Sequence, residues 1–394
     1  MSIPESEILN SLVSRVFRID DVTLGDAQKG HLVRYRGRLL SDDSAAAYDQ
    51  LAESVKGYNL TPLFREENGQ HVVYLVHSLP TPKPNNVRVN IILFALTVIS
   101  VMLAGAQPEG PIPSDTWGQI LLLVRSIFSG WPFALSLLGI LLAHEFGHYL
   151  VSRYHKTPAT LPYFLPLPFS PLGTLGAFIR MQGIPKNKRT LFDIGVAGPL
   201  AGMVIAIPVL FLGLFLSTIG PVEPSPGGFI EGNSIFYLFS KFMVFGQLLP
   251  TPASLNGLSP LLYWLRYFFT GTPVPFGGTD VFIHPVAFAG WAGLLVTGLN
   301  LLPVGTLDGG HVMYALFGKE TRRIYPYVMG LLILLGLVWS GWWLWAFLLF
   351  WLGRVHAEPL DQITPLDPPR RAVAVFAIVL FILVFTPVPM VMLG

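Results

Sequence analysis

The sequence contains no cysteine. Disulfide scaffolds, thiol catalysis and cysteine-based zinc sites are therefore excluded. Charge is also scarce: Asp, Glu, Lys and Arg make up 12% of the 394 residues, against about 25% in ordinary soluble proteins. Neither sign dominates, with 25 Lys and Arg against 23 Asp and Glu, so no nucleic-acid partner is expected. Apolar residues are plentiful instead. Hydrophobic residues reach 52% and aromatic residues 13%, which excludes a disordered chain and points to a membrane protein.

The charge is unevenly placed: 21 of the 48 charged residues fall in the first 88 positions. This divides the chain into a polar N-terminal domain, residues 1–85, and a multi-span membrane domain, residues 86–394, with a core at 131–315. The junction, Pro80-Thr81-Pro82-Lys83-Pro84-Asn85-Asn86, is stiff and proline-rich. The opening Met1-Ser2-Ile3-Pro4-Glu5 has neither the basic start nor the apolar core of a signal peptide. The N-terminal domain reads as mixed α/β. Arg15–Ile19 and His31–Tyr35 alternate like half-buried strands. Asp42-Asp43 is placed to cap a helix running to Lys56, with Leu51 and Val55 on one face. Leu60–Phe64 and His71–Val76 read as two strands joined across Glu66-Glu67-Asn68-Gly69. No catalytic constellation is visible there, and His31, His71 and His77 read as structural.

A membrane-spanning helix needs about 20 mostly apolar residues. Candidates are Val89–Ala106, Trp131–Tyr154, Leu191–Ile219, Ile283–Pro303, Ile324–Trp339, Trp342–Leu352 and Ala372–Leu393. The expected architecture is a polytopic α-helical membrane protein of about 6–8 transmembrane helices with a small N-terminal α/β cytosolic domain. Gln119–Phe128, Ile235–Leu249 and Leu261–Phe269 are interrupted and read as interfacial or re-entrant. Loops carrying Arg153, Lys156, Arg180, Lys186, Lys188 and Arg189, then Lys319, Arg322 and Arg323, then Arg354, Arg370 and Arg371, fall on one side of this threading. The positive-inside rule makes that side cytoplasmic, together with the N-terminal domain.

Ionisable residues inside apolar segments are costly and functional by default. His144-Glu145-Phe146-Gly147-His148 lies in a run, Leu137–Leu150, with no other charge. Histidines four apart on a helix share one face, about 40° apart. This is the His-Glu-x-x-His zinc arrangement, with Glu145 as general base. A catalytic zinc usually has a third protein ligand. His284, His311 and Asp308 are candidates, and Asp308 is the best of them. It follows Asn300-Leu301-Leu302-Pro303-Val304-Gly305, where Pro303 bends the segment and glycines let the backbone leave the helix. Broken helices at membrane depth are tolerated where they line a cavity. Asn300 is an amide donor suited to a developing oxyanion, or to interhelical hydrogen bonding.

With these motifs the sequence resembles the site-2-protease-type intramembrane zinc metalloproteases, peptidase family M50. His144-Glu145-Phe146-Gly147-His148 and Asn300-x-x-Pro303-x-x-x-x-Asp308-Gly309 match the family's two motifs in order. Pro162–Pro168, Gly173–Met181 and Phe192–Gly202 are similar to the branch of plastid EGY-type proteins and their bacterial relatives. The resemblance implies one Zn2+ held by His144, His148 and Asp308, Glu145 as general base, and cleavage of transmembrane protein substrates near the cytosolic side. No PDZ-like insertion is visible, so the gating arrangement of PDZ-bearing members does not carry over.

Asp193 lies after Lys188-Arg189 and reads as a carboxylate capping the next helix, or as a supporting or catalytic group at the site, with Gly198-x-x-x-Gly202 behind it for close helix contact. Gly173–Met181 alternates and reads as a β-hairpin dipping toward the site, with an edge for an unwound substrate segment. Two other functions fit the composition: an inactive membrane-protein chaperone of the same fold and a metal-ion transporter. Glu145 argues against the first. The absence of paired inverted halves argues against the second. The expected location is an integral, multi-pass one, in a prokaryotic plasma membrane. Neither the substrate's identity nor the oligomeric state is encoded legibly.

Overall fold

A computed structural model describes residues 6–25, 31–78, 85–111, 113–225, 228–353 and 358–393. Most of the proline-rich junction, and Arg354, lie outside these residues. The chain begins with α1 (Ser6–Val13), β1 (Phe17–Leu24), β2 (Val33–Leu39), α2 (Ser44–Lys56), β3 (Leu60–Glu67) and β4 (Gln70–His77). The four strands form one antiparallel sheet in the order β1-β2-β4-β3. β1 starts at Phe17, later than its alternation suggests, because Ser14 and Val16 still donate back to Asn10 and Val13 at the end of α1. α2 opens on Asp43, whose carboxylate accepts from the N–H of Ala46 at 3.1 Å. Leu51 and Val55 of α2 are buried with Phe17, Tyr35, Phe64 and Val73 beneath the sheet. Asn68 and Gly69 turn β3 into β4 with φ of 52° and 76°, the left-handed pair that a two-residue hairpin needs.

The membrane body follows: α3 (Val87–Ala104), α4 (Thr116–Arg125), α5 (Trp131–Tyr154), β5 (Tyr163–Pro166), β6 (Thr174–Phe178), α6 (Lys188–Phe215), β7 (Thr218–Pro221), β8 (Phe229–Glu231), α7 (Ile235–Phe245), α8 (Pro260–Thr270), β9 (Thr279–Phe282), α9 (Pro285–Asn300), α10 (Asp308–Phe317), α11 (Tyr325–Gly336), α12 (Gly341–Leu352), α13 (Pro368–Val384) and β10 (Met390–Met392). Among the described residues, three helical segments are long and apolar enough to cross a bilayer: Val87–Ala104, Ile127–Tyr154 and Lys188–Phe215. The others expected to span are shorter. α9 stops at Asn300, before Pro303. The apolar run at 324–352 is two helices, with Ser340 and Gly341 between Trp339 and Trp342. α13 ends at Val384, where Pro387 and Pro389 supply no further N–H donors. α4, read as interfacial, has no buried residue.

The central packing is between α5, α6 and α9, and small residues allow it. A Cβ on Gly147 of α5 would sit 2.6 Å from the carbonyl oxygen of Ala197. A Cβ on Gly290 of α9 would sit 2.5 Å from the Cα of Leu210 on α6. Backbones this close exchange dispersion contacts that long side chains would prevent. Phe133, Leu137, Leu210, Ala287 and Trp291 fill the core around these contacts.

The N-terminal sheet is tied to this body. Residues 358–366 form a strap along β3: Phe64 N donates to Leu360 O, and Gln362 N donates to Phe64 O, both at 3.0 Å. Arg65 donates to the carbonyls of Pro359 and Leu360 at 3.1 and 2.7 Å. The same strap reaches the start of α6, where Asp361 N donates to Lys186 O at 2.8 Å.

Candidate metal centre

His144 and His148 project from one face of α5, four residues apart. Their Nε2 atoms are 3.2 Å apart. The Oδ2 of Asp308 lies 3.3 Å from each. Three donors at the corners of a tetrahedron of zinc–ligand length about 2.0–2.1 Å lie about 3.3–3.4 Å apart. The triangle therefore has the size of three of zinc's four positions. Two imidazole nitrogens and a carboxylate oxygen are also a donor set that suits zinc. Among the described residues, these are the one group of three His, Asp or Glu able to hold a metal.

Neighbouring helices position these side chains. The carbonyl oxygen of Ile194 on α6 lies 2.7 Å from His148 Nδ1. A carbonyl only accepts, so Nδ1 carries the proton and Nε2 presents its lone pair to the centre. α6 passes this close because residue 198 is glycine: a Cβ there would lie 2.0 Å from His148 Nε2. Asp308 is the first residue of α10. Leu307 stands at the cap position, and no side chain caps this helix. The Asp308 carboxylate turns to the histidines instead.

The break between α9 and α10 makes that placement possible. Gly305 has φ +58°, and a Cβ there would strike the Cα of Gly353 at 2.4 Å. Gly309 passes the carbonyl of Leu301 with no room for a side chain. Asn300, the last residue of α9, brings its Nδ2 to 3.2 Å from His144 Nε2.

Glu145 is buried beside these side chains, 4% exposed. A cleft of about 740 Å³ joins these groups. His144, Glu145, His148, Asn300 and Asp308 line it, with residues 177–181, the end of β6 and the segment after it, along one wall. His311, one turn along α10 from Asp308, also borders the cleft. His284 does not. It caps the far end of α9, where its Nδ1 accepts from Val286 N at 3.3 Å.

Residues 173–181, read as a hairpin, supply only one of its strands, β6; the partner is β5, with Phe164 opposite Ala177. Asp193, by contrast, does not cap a helix. α6 begins at Lys188, and Asn187 is its cap, accepting from Thr190 N at 3.0 Å. Asp193 lies within the helix and grips Arg370 of α13 through two bonds of 2.7 Å. It also pairs with His155 Nε2, at the end of α5, at 2.9 Å. These hydrogen bonds and those with Asp367 hold the Arg370 guanidinium above its ordinary range.

Reading the sequence misses two parts of the site: the Ile194 carbonyl and the steric role of Gly198. The first is a backbone atom, which side-chain identity does not advertise. Gly198 was visible as part of a small-residue run, but its histidine neighbour was not.

A membrane-embedded His-Glu-x-x-His centre completed by an aspartate from a broken helix defines the site-2-protease class of metallopeptidase fold. The chain belongs to peptidase family M50, whose family model matches residues 132–337. It is 34% identical over 272 residues to "Probable zinc metalloprotease EGY1, chloroplastic" of Arabidopsis thaliana, covering 68% of this chain and 44% of that protein. The EGY1 protein of Oryza sativa subsp. japonica is 30% identical over 76% of this chain and 50% of its own length. "Probable zinc metalloprotease EGY2, chloroplastic" of Arabidopsis thaliana is 30% identical over 67% and 43%. The chain spans about half the length of the curated relatives it matches. Their names place these relatives in chloroplasts and lend no support to a prokaryotic plasma membrane. A membrane location is what the family carries.

Proposed function

We propose that this protein is an intramembrane zinc metalloprotease that hydrolyses peptide bonds within or near transmembrane segments of membrane-protein substrates. The observation that carries the reading is the 3.2–3.3 Å triangle of His144, His148 and Asp308 donors facing a cleft that also holds Glu145. The relatives named as zinc metalloproteases support the choice of metal.

His144, His148 and Asp308 would hold the ion. Zinc at such a site supplies an activated water and a Lewis acid for the scissile carbonyl. Glu145 then accepts the proton of the attacking water and returns it to the leaving amine. Asn300 Nδ2 donates to the oxyanion as it forms. A peptide bond in a helix is shielded by its own hydrogen bonds, so the substrate must unwind first. Among the described strands β6 pairs only with β5, and its second edge accepts the extended segment by strand addition.

Residues 1–85 form a cytosolic α/β unit, and 86–394 the membrane domain, with six to eight crossings built from the long and shorter apolar helices. In this reading the metal centre lies toward the cytoplasmic face, which the positive-inside rule supports through the basic loops. The test is cleavage of a reporter transmembrane segment by the purified protein in liposomes. Cleavage that a chelator abolishes and added Zn2+ restores supports the reading. Cleavage indifferent to chelation contradicts it, and so does reversible zinc binding without hydrolysis.

A further inference from the structure

A second cluster of buried ionisable groups lies at the opposite end of α9, about 24 Å from Asn300 by helix length. Its members come from three elements. Glu231 ends β8, Asp280 lies in β9, and Lys241 projects from α7. All three are buried, at 5%, 4% and 0% exposure. The Tyr237 hydroxyl donates to Glu231 Oε1 at 2.6 Å. Lys241 Nζ donates to Asp280 Oδ1 at 3.4 Å and lies 4.7 Å from the centre of the Tyr237 ring.

Two features leave this cluster unfinished. Asp280 Oδ2 is buried without a hydrogen-bond partner among the described residues. A buried carboxylate oxygen in that state loses its hydration with nothing in return. The charge is also unbalanced, since one lysine faces two carboxylates.

The cavity beside the cluster matches both features. It measures about 650 Å³ and is lined by Glu231, Asp280 and the exposed Glu223, with no Lys, Arg or His among the described residues of its wall. Phe229, Phe282 and Ile283 supply apolar wall on the same cavity. Burial, then the Asp280 carboxylate, push Glu231 up to about 7, as expected where a positive charge is wanting.

We propose that Glu231 and Asp280 form a binding site for one organic cation, a guanidinium or ammonium on an apolar stem, as on an arginine or lysine side chain. The charged head would meet Asp280 Oδ2 and Glu231, and the stem would lie against Phe229 and Phe282. A metal ion fits less well, because Lys241 already occupies one carboxylate and the cavity is far larger than an ion. The site is independent of the metal centre, so binding is measured without catalysis.

The experiment titrates n-butylguanidinium into the full chain in nanodiscs at pH 8, with the isosteric neutral n-butylurea and Ca2+ as controls. Saturable binding of the guanidinium alone is expected. Asp280→Asn should weaken it by about tenfold or more, with zinc content unchanged as evidence of an intact fold. Glu223→Gln, at the exposed rim, should weaken it less and serves if the Asp280 variant does not fold. A capped Ala-Arg-Ala peptide distinguishes the source. Tighter binding than n-butylguanidinium assigns a polypeptide side chain, and weaker binding assigns a free small cation. Equal binding of n-butylurea, no saturable binding, indifference to Asp280→Asn, or Asp280-dependent binding of Ca2+ alone would each overturn the proposal.

Discussion

His148 Nδ1–H donates to the carbonyl oxygen of Ile194 at 2.7 Å, and that bond turns Nε2 toward His144 and Asp308. One backbone carbonyl on α6 thus fixes both the tautomer and the aim of a ligand on α5. The contact depends on how closely α6 approaches, and Gly198 sets that distance.

Gly198→Ala therefore tests the approach. Its new Cβ would sit 2.0 Å from His148 Nε2, whereas a Cβ at Gly202 meets His144 at 3.3 Å. Alanine favours helix, so α6 itself should persist. Zinc affinity should fall by about 10–100-fold in Gly198→Ala and change little in Gly202→Ala. Titration against a competing chelator, with circular dichroism for helix content, reads both. Equal losses in the two variants would contradict this seat for His148.

The grip of Asp193 on Arg370 and His155 joins the ends of α5, α6 and α13. Asp193→Asn should cost about 1–3 kcal/mol of stability, read as earlier thermal unfolding in detergent. Arg370→Gln should cost a similar amount. The double variant should cost little more than either single one, because both remove the same contact. Additive losses would show that the two side chains act separately.

Glu231 should make the cap at the far end of α9 sensitive to pH. Its folded value, raised to about 7 by burial and then by Asp280, exceeds the unfolded value of about 4.3. The folded state therefore binds the proton more tightly. The stability this gives is present below the unfolded value and lost as pH rises through about 7. Hydrogen exchange in β8 and α7, corrected for intrinsic rates, should be faster at pH 8 than at pH 6. Glu231→Gln should remove the difference, and an unchanged difference would assign it to another group.

The oxyanion role proposed for Asn300 rests on its Nδ2 lying 3.2 Å from His144 Nε2. Asn300→Ala should lower kcat by about 10²–10³-fold while leaving zinc stoichiometry unchanged. Loss of zinc together with kcat would make Asn300 a positioning residue for His144 instead.

The grouping of His144, His148 and Asp308 was legible because histidine, glutamate and aspartate stand out against uncharged apolar sequence. Asp308 needed no structure to be preferred over His284, since Pro303 and the glycines already mark a break in the helix. The partners of Asp193 were not legible. Arg370 is 177 positions away, and the cap of α6 is the less conspicuous Asn187. Helix lengths were partly legible: the break between α11 and α12 falls near Ser340-Gly341, where the two apolar runs were read apart, but the span expected to reach Leu393 stops at Val384, ahead of Pro387. The Glu231, Asp280 and Lys241 cluster went unread for a similar reason, since its members lie in three separate segments. Lys241 carried the signal, as the one charged residue of an otherwise apolar α7.

The central claim is that His144, His148 and Asp308 hold zinc while Glu145 moves the proton. Glu145→Gln separates these roles in one preparation. Zinc per chain is measured by atomic absorption, and cleavage of a reporter transmembrane segment is measured alongside. The account predicts one zinc per chain, as in the unaltered protein, with cleavage abolished. Sustained cleavage by Glu145→Gln at full zinc occupancy would contradict it.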